Sequence, residues 1–185
     1  MEEDSSAGPF YLSPISSPLL EGKALERSLR LIKKAVVYER ESRQHNKQSN
    51  MVASKATVKS VVKEMNAQKS SSARCLKRGV QEVTKSLRKG STGILFLAAD
   101  VYPVDIIAHL PILCEEKDIL YAYLGSKKTL GMACRSKRAT SAILVQACPR
   151  ERQPETLQLD DTNENDYSDL YKKVRKAIQS IHPHF

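Results

Sequence analysis

Apolar residues recur three and four positions apart in five segments of the chain, a spacing that predicts helices. The predicted helices cover residues 24–38, 79–89, 104–116, 126–133 and 169–181. In the second helix, Val80, Val83 and Leu87 form the stripe that faces the core, and Gly90 is the expected left-handed residue beyond its end. Ser126 is the expected N-cap of the fourth helix.

Three continuous apolar runs lie between these helices, at residues 93–98, 120–124 and 141–148. Runs of this length that are bounded by turn residues are typical of strands buried on both faces. Because helices and strands alternate along the chain, the predicted fold class is α/β, a three-layer α/β/α sandwich. A long polar segment is inserted before the second helix.

Polar stretches divide the chain into three predicted regions. Residues 1–22 are rich in Ser and Pro and are expected to form a flexible or loosely docked tail. Residues 23–149 are expected to form the folded domain, with residues 39–73 as an exposed insertion that carries a short helix near 58–65. Residues 150–185 are expected to form an acidic linker and the C-terminal helix.

The chain is strongly basic, with a formal net charge of +9 over 185 residues. Basic residues dominate residues 23–89, whereas residues 151–169 are acidic. A concentrated basic face is the expected footprint of a polyanionic partner such as nucleic acid. The alternative is a basic surface that only aids solubility, with the insertion as a tolerated extension rather than an RNA-contacting arm.

The sequence lacks the spacings that several chemical functions require. The four cysteines and four histidines show no zinc-ligand spacing, and buried reduced thiols are expected. Residues 125–129 resemble a phosphate loop only faintly, because Met132 follows Gly131 where GxxxxGK[ST] demands Lys. His109 lies in an apolar helix and is interpreted as structural. We therefore expect no enzyme, no cofactor and no metal, and the absence of a leader or a long apolar run predicts no secretion and no membrane partner.

The start of the second helix carries the first candidate binding group. Glu82 and Lys85 lie three residues apart on one helical face, and Gln81 lies four residues before Lys85. A carboxylate and an ammonium placed in this way match the N1–H, N2–H₂ and O6 groups of an unpaired guanine, and the helix N-terminus favours phosphate. An ordinary amphipathic helix with an internal ion pair is the alternative interpretation.

A basic loop at residues 135–138 is the second candidate. It connects a short helix to a buried strand and is therefore expected to be exposed. If the sheet order brings this loop beside the helix that begins at Gly79, the loop can hold the phosphate backbone while the helix reads bases. The alternative is an ordinary solvated loop.

Several blocks of the sequence, in the same order, resemble one known superfamily. Residues 77–85, residues 95–116 and residues 121–131 together resemble the kink-turn-binding superfamily of ribosomal and ribonucleoprotein proteins. Within it, the RGV motif at residues 78–80 and the SKR motif at residues 136–138 are similar to the family of subunit 2 of H/ACA small nucleolar ribonucleoproteins. The resemblance covers residues 19–37 and 74–145, and more weakly the last helix.

The resemblance implies a sandwich with a small mixed sheet and a non-catalytic RNA-binding subunit. It implies that guide RNA, the small nucleolar RNA, is bound and positioned for pseudouridylation in ribosome biogenesis, and in some lineages telomerase RNA. The implied partners are the pseudouridine synthase and the other H/ACA core proteins, and the implied location is the nucleus and nucleolus. Together with the charge pattern, it predicts these RNA-binding residues: Lys77, Arg78, Gly79, Gln81, Glu82, Lys85, Ile106, Arg135, Lys137 and Arg138.

Four positions depart from the strict kink-turn pattern. Gln81 replaces asparagine, Tyr102 replaces an acidic residue, Arg135 replaces glycine and Ala139 replaces proline. The first and third changes favour affinity over specificity, so we expect a weak preference for kink-turns. The alternative functions are a kink-turn subunit of box C/D particles or the spliceosome, a ribosomal or ribonuclease P protein, an RNA-modifying enzyme, and an adaptor whose RNA surface is unused.

Overall fold

Four short strands lie side by side at the centre of the molecule, and helices pack on both faces of this sheet. The computed structural model describes residues 11–53, 75–147 and 167–182. In chain order the elements are α1 (Gly22–Ala53), β1 (Leu76–Arg78), α2 (Val80–Arg88), β2 (Ile94–Ala98), α3 (Asp105–Glu115), β3 (Leu120–Leu124), α4 (Lys127–Ala133), β4 (Ala142–Val145) and α5 (Tyr167–Ile181).

The sheet is mixed, with the strand order β1-β4-β2-β3. Strand β4 runs antiparallel to both of its neighbours, whereas β2 and β3 are parallel. Every residue of β2, β3 and β4 is buried, which explains why their sequences are continuously apolar rather than alternating. The small mixed sheet that the resemblance implies is confirmed.

The helices form two groups around the sheet. On one face, α2 contacts β1 and β4, and α3 contacts α2 and β3. On the other face, α1 contacts β1, α4 and α5, and α5 also contacts β3. The largest fully buried side chains, Tyr123 and Phe96, come from the two parallel strands. This arrangement confirms the predicted three-layer α/β/α sandwich.

Four elements differ from the predictions. The first helix was predicted to end at residue 38, but α1 continues to Ala53. Strand β1 was not predicted, because its sequence of one leucine and two basic residues was interpreted as the approach to α2. Strand β4 is shorter than predicted. In α5, Ile178 is the last buried residue of the apolar stripe, and Ile181 is 47% exposed. The predicted helix near 58–65 and the acidic linker lie outside the described residues.

The segment before α1 pairs with the edge of the sheet. The backbone N–H of Leu20 donates to the carbonyl of Tyr123, and the N–H of Tyr123 donates to the carbonyl of Pro18, both at 2.8 Å. Leu20 is also 2% exposed and belongs to the core. Edge strand β3 is therefore covered along part of its length, which removes a site for unwanted strand pairing.

Helix α2 ends as the sequence predicts. Gly90 has a φ of 79°, its N–H donates to the carbonyl of Leu87 at 3.0 Å, and the N–H of Ser91 donates to the carbonyl of Ser86 at 3.1 Å. These two bonds are those of a Schellman motif, in which glycine is favoured because φ is positive. The ammonium of Lys117 donates to the Leu87 carbonyl at 2.6 Å, which places a cation at the negative end of the helix.

The cysteines follow the sequence prediction only in part. Cys114 and Cys134 are buried free thiols, and burial raises their pKa values to about 12 and about 11. Cys75 is disulfide-bonded, so the prediction of a reduced thiol is wrong for this residue. Within the described ranges, no cluster of three metal-ligating side chains occurs. None of the described helices combines the length and the apolar character that a membrane span requires.

Candidate nucleic-acid interface

The topology brings the two candidate binding groups to one edge of the sheet. Arg78, the last residue of β1, is paired with Ile143 near the start of β4. The N–H of Gly79 then donates to the carbonyl of Ala142 at 2.8 Å. The start of α2 and the basic loop that precedes β4 are therefore neighbours, which is the condition that the sequence prediction required. We call the region formed by residues 78–85 and 135–141 the basic edge.

Gly79 makes the turn from β1 into α2. Its φ of 94° and ψ of 149° place it in a region that residues with a Cβ rarely adopt. A Cβ at this position would meet no atom within 4 Å, so the backbone conformation rather than crowding explains the glycine. No side chain caps the helix at Gly79. The start of α2 therefore lacks a side-chain cap, and a helix start of this kind favours an anion through its first N–H groups.

The polar face of α2 points outward. Gln81, Glu82 and Lys85 are exposed, whereas Val83 and Leu87 are fully buried against the sheet. Because the apolar stripe of the helix is buried against the sheet, the backbone positions of the polar residues on the opposite face are fixed. A carboxylate acceptor and an ammonium donor consequently project from one rigid element, which is the arrangement that reading a base edge requires.

Helix α4 ends in a second Schellman motif, and Arg135 occupies the position that glycine usually takes. The N–H of Arg135 donates to the carbonyl of Met132 at 2.9 Å, and the N–H of Ser136 donates to the carbonyl of Gly131 at 3.0 Å. The φ of Arg135 is 50°, in the left-handed region. Glycine is favoured at such a position because a side chain in the left-handed region costs roughly 1 kcal/mol.

Gly131 allows the basic loop to lie directly against α4. A Cβ on Gly131 would be 2.6 Å from the carbonyl oxygen of Arg138 and 3.2 Å from the Cα of Ala139. The N–H of Thr140 also donates to the carbonyl of Lys127 at 3.2 Å. The backbone of the loop is therefore held at both ends of α4, while the side chains of Lys137 and Arg138 are exposed.

Asp100 joins the loop after β2 to the start of α4. Its Oδ1 accepts from the N–H of Lys127 at 2.7 Å, and its Oδ2 accepts from the hydroxyl of Ser126 at 3.3 Å. Ser126 in turn accepts from the N–H of Lys128, which confirms it as the N-cap. The carboxylate of Asp100 is thus a positioning group, a role that depends on a tertiary contact and is not predicted from the sequence.

Other predicted site residues take different positions. Lys77 is 5% exposed within β1, so its side chain does not form part of the outer surface, unlike that of Arg78. Ile106 is 43% exposed in the first turn of α3, which follows the same end of the sheet, and Tyr102 nearby is 77% exposed. His109 contacts Thr84 through Nε2 at 3.1 Å and so joins α3 to α2, in agreement with its structural interpretation.

A three-layer α/β/α domain with a basic edge and an open helix start has the features of a polyanion-binding protein, and comparisons with known proteins make the class specific. The chain belongs to the ribosomal protein L7Ae/L30e/S12e/Gadd45 family, whose model matches residues 59–151. This membership confirms the superfamily that the sequence resemblance indicates.

The curated relatives of this chain include several H/ACA ribonucleoprotein proteins. It is 48% identical over 82 residues to an H/ACA ribonucleoprotein complex subunit 2-like protein of Arabidopsis thaliana, covering 44% of this chain and 53% of that protein. It is 35% identical over 104 residues to the subunit nhp2 of Schizosaccharomyces pombe, covering 56% and 63%. It is 29% identical over 171 residues to a subunit 2-like protein of Xenopus tropicalis, covering 92% and 80%. The matched part thus spans 53% and 63% of the first two relatives' lengths.

A solved structure supports the fold. The Giardia lamblia 15.5kD RNA binding protein matches with a TM-score of 0.59 and 19% sequence identity, covering 92% of this chain and 99% of that one. At this identity the likeness establishes the arrangement of helices and strands, and the site has to be argued from the residues of this chain.

Proposed function

We propose that this chain is a non-catalytic RNA-binding core subunit of an H/ACA small nucleolar ribonucleoprotein. In that particle it positions guide RNA for pseudouridylation of ribosomal RNA. The observation that carries the proposal is the shared edge, where β1 pairs with β4 and so brings the start of α2 beside residues 135–141. The names of the curated relatives support the choice of the H/ACA particle.

The two parts of the basic edge have different tasks in this proposal. Glu82 accepts from the N1–H and N2–H₂ groups of an unpaired guanine, and Lys85 donates to its O6. Arg78, Arg135 and Arg138 hold phosphates, which fixes the RNA without reading its sequence. Gly79 has no side chain, so the RNA backbone can come close to the helix start.

The partners and the location follow from the proposed particle. The pseudouridine synthase performs the chemistry, and a small zinc-free protein and a glycine–arginine-rich subunit complete the core. The particle resides in the nucleus and nucleolus and, in some lineages, also holds telomerase RNA. This chain binds the guide RNA and contributes no catalytic group.

The preference for kink-turns is weak in this proposal. Gln81 stands on the exposed side of α2 with a longer and less constrained side chain than asparagine. Arg135 adds charge rather than a shape constraint. The target is therefore chosen with the help of protein partners, and RNA affinity falls steeply with salt.

The associated RNAs provide the direct test. The tagged full-length chain and its Lys85→Glu variant are expressed in cells, crosslinked and purified, and the bound RNAs are sequenced. We expect H/ACA guide RNAs to be enriched with the unmodified chain and depleted with the variant. Enrichment of box C/D guides, spliceosomal RNA or ribosomal RNA instead would refute the H/ACA assignment.

A second measurement tests the weak preference with purified protein. Binding to a kink-turn RNA and to a plain stem-loop of equal length is compared at several salt concentrations. We expect the two affinities to differ by less than about tenfold, or about 1.4 kcal/mol. A much larger selectivity for the kink-turn would show that Gln81 and Arg135 do not weaken recognition.

A further inference from the structure

A small cavity beside the basic edge is lined by three arginines that come from three separate elements. Its volume is about 160 Å³, several times the share of one water molecule in the liquid, which is roughly 30 Å³. Arg40 comes from α1, Arg78 ends β1, and Arg135 follows α4. The remaining lining residues are Val36, Glu39, Leu76 and Cys134.

We propose that this cavity, the arginine pocket, binds one phosphate of the RNA backbone. It extends the basic edge onto α1 through Arg40, which is not among the RNA-binding residues predicted from the sequence. The proposal rests on the proposed function, because it assumes that RNA lies on the basic edge.

The charges of the pocket favour an anion. Three guanidinium groups against the one carboxylate of Glu39 leave a formal charge of +2. Within the described part of the chain, no ion pair engages Arg40, Arg78 or Arg135. Arg78 donates through Nη1 to the carbonyl of Cys134 at 3.5 Å, and its other N–H groups remain for a ligand. Guanidinium groups match phosphate oxygens in a bidentate way, which makes this cluster suited to a phosphodiester.

The uncharged lining residues of the pocket do not repel an anion. Val36, Leu76 and Cys134 are buried and apolar, with 6%, 4% and 2% exposure. Burial raises the pKa of the Cys134 thiol to about 11, while Arg78 lowers this pKa and Glu39 raises it. The thiol is therefore neutral at physiological pH.

The backbone of Arg135 is the second, independent observation. This residue adopts a φ of 50° at a helix end where glycine is favoured. Left-handed residues other than glycine are uncommon and often occur at functional sites, where the side chain compensates for the backbone cost. The guanidinium at this position completes the pocket. A phosphate contact therefore explains why the chain has arginine here.

The test is the salt dependence of RNA binding by purified full-length variants. Each phosphate contact contributes about 0.9 to the slope of log affinity against log salt for B-DNA and about 0.7 for single strands, and the larger value is used here. The double variant Arg40→Gln/Arg135→Gly removes two of the three cations around the single phosphate and should lower the slope by about this amount, and each single variant should lower it by part of this amount. Between 50 and 200 mM salt, the double variant then loses about 3.5-fold less affinity than the unmodified chain. Arg175→Gln, which removes an exposed arginine from α5, is the matched control and should leave the slope unchanged.

The design separates the failure of the pocket from the failure of the function. If the unmodified chain binds RNA and Lys85→Glu weakens binding, while the double variant Arg40→Gln/Arg135→Gly keeps the original slope, the pocket proposal is wrong and the function stands. If Lys85→Glu has no effect on RNA affinity, both are wrong. Thermal unfolding of each variant verifies the fold. A melting temperature that rises with inorganic phosphate, together with unchanged RNA slopes, would assign the pocket to a free anion and overturn the proposal.

Discussion

A single added methyl group at Gly131 should displace the loop that carries Arg138. The Cβ of alanine would lie 2.6 Å from the carbonyl oxygen of Arg138, and ordinary contact begins at 3.4 Å. The neighbouring atom belongs to the backbone, so no side-chain rotation relieves the contact. The loop must move by about 0.8 Å relative to α4, the difference between these two distances.

Two opposing effects set the stability of Gly131→Ala. Alanine favours the helix over glycine by about 1 kcal/mol. Overpacking against a fixed backbone costs about 1–3 kcal/mol. The net change is a loss of roughly 0–2 kcal/mol, small enough for the protein to stay folded. The RNA affinity should fall more clearly, because a displaced loop no longer holds phosphates beside the start of α2.

Gly125→Ala is the matched control for this experiment. Gly125 precedes the same helix, is exposed, and has no atom within 4 Å of an added Cβ. Denaturant unfolding and RNA titration are measured for both variants. We expect Gly125→Ala to bind as the unmodified chain does and Gly131→Ala to bind several-fold more weakly. Equal RNA affinity and equal stability of the two variants would refute the role assigned to Gly131.

Three further predictions concern charge and pH. Lys85→Glu should weaken RNA binding in a titration while the circular dichroism spectrum stays unchanged, and an unchanged affinity would favour an adaptor function. Lys117→Met should lower the free energy of unfolding, measured in urea, by about 1–2 kcal/mol, because the carbonyls of Leu87 and Arg88 lose a cationic donor. Lys128→Met, at an exposed position, is the control and should leave the free energy of unfolding unchanged. Burial raises the pKa of Cys114 from 9.0 to about 12. The neutral thiol's contribution to the free energy of unfolding is therefore complete below pH 9 and is lost as the pH rises toward 12. At pH 10.5 this loss is about 2 kcal/mol relative to pH 8. In urea unfolding, the free energy of unfolding of Cys114→Ala should therefore decrease less between about pH 8 and pH 10.5 than that of the unmodified chain.

The sequence predicts those parts of the fold that depend on local pattern. Helices with a clear apolar stripe and strands buried on both faces have distinct signatures, and α2, α4, β2 and β3 follow them. Strand β1 has only three residues, two of them basic, and its existence depends on pairing with β4. Such pairing between residues about 65 positions apart leaves no periodic signal in the sequence.

The candidate site likewise has features that the sequence predicts and features that depend on tertiary contacts. The charges of Glu82, Lys85 and residues 135–138 can be read directly, and the helix start at Gly79 is a local feature. Their proximity follows from the strand order, which the sequence does not reveal. The close contact of Gly131 with the Arg138 carbonyl and the approach of Arg40 to Arg135 are also tertiary contacts. The sequence therefore predicts a shared surface for the helix start and the basic loop only on the condition that the sheet order brings them together.

In the proposed function, the balance between base reading and phosphate binding follows from which side chains stand on rigid elements. Glu82 and Lys85 stand on a helix whose Val83 and Leu87 are fully buried, so their starting points are fixed. The other cations of the basic edge stand on a loop or at strand and helix ends, where they contribute attraction with little geometric discrimination. Because Arg135 replaces a glycine with a charge, it adds to the salt-dependent part of the affinity and not to the selective part. We propose that a protein built in this way binds many structured RNAs, and that assembly with other core proteins makes the choice of guide RNA specific.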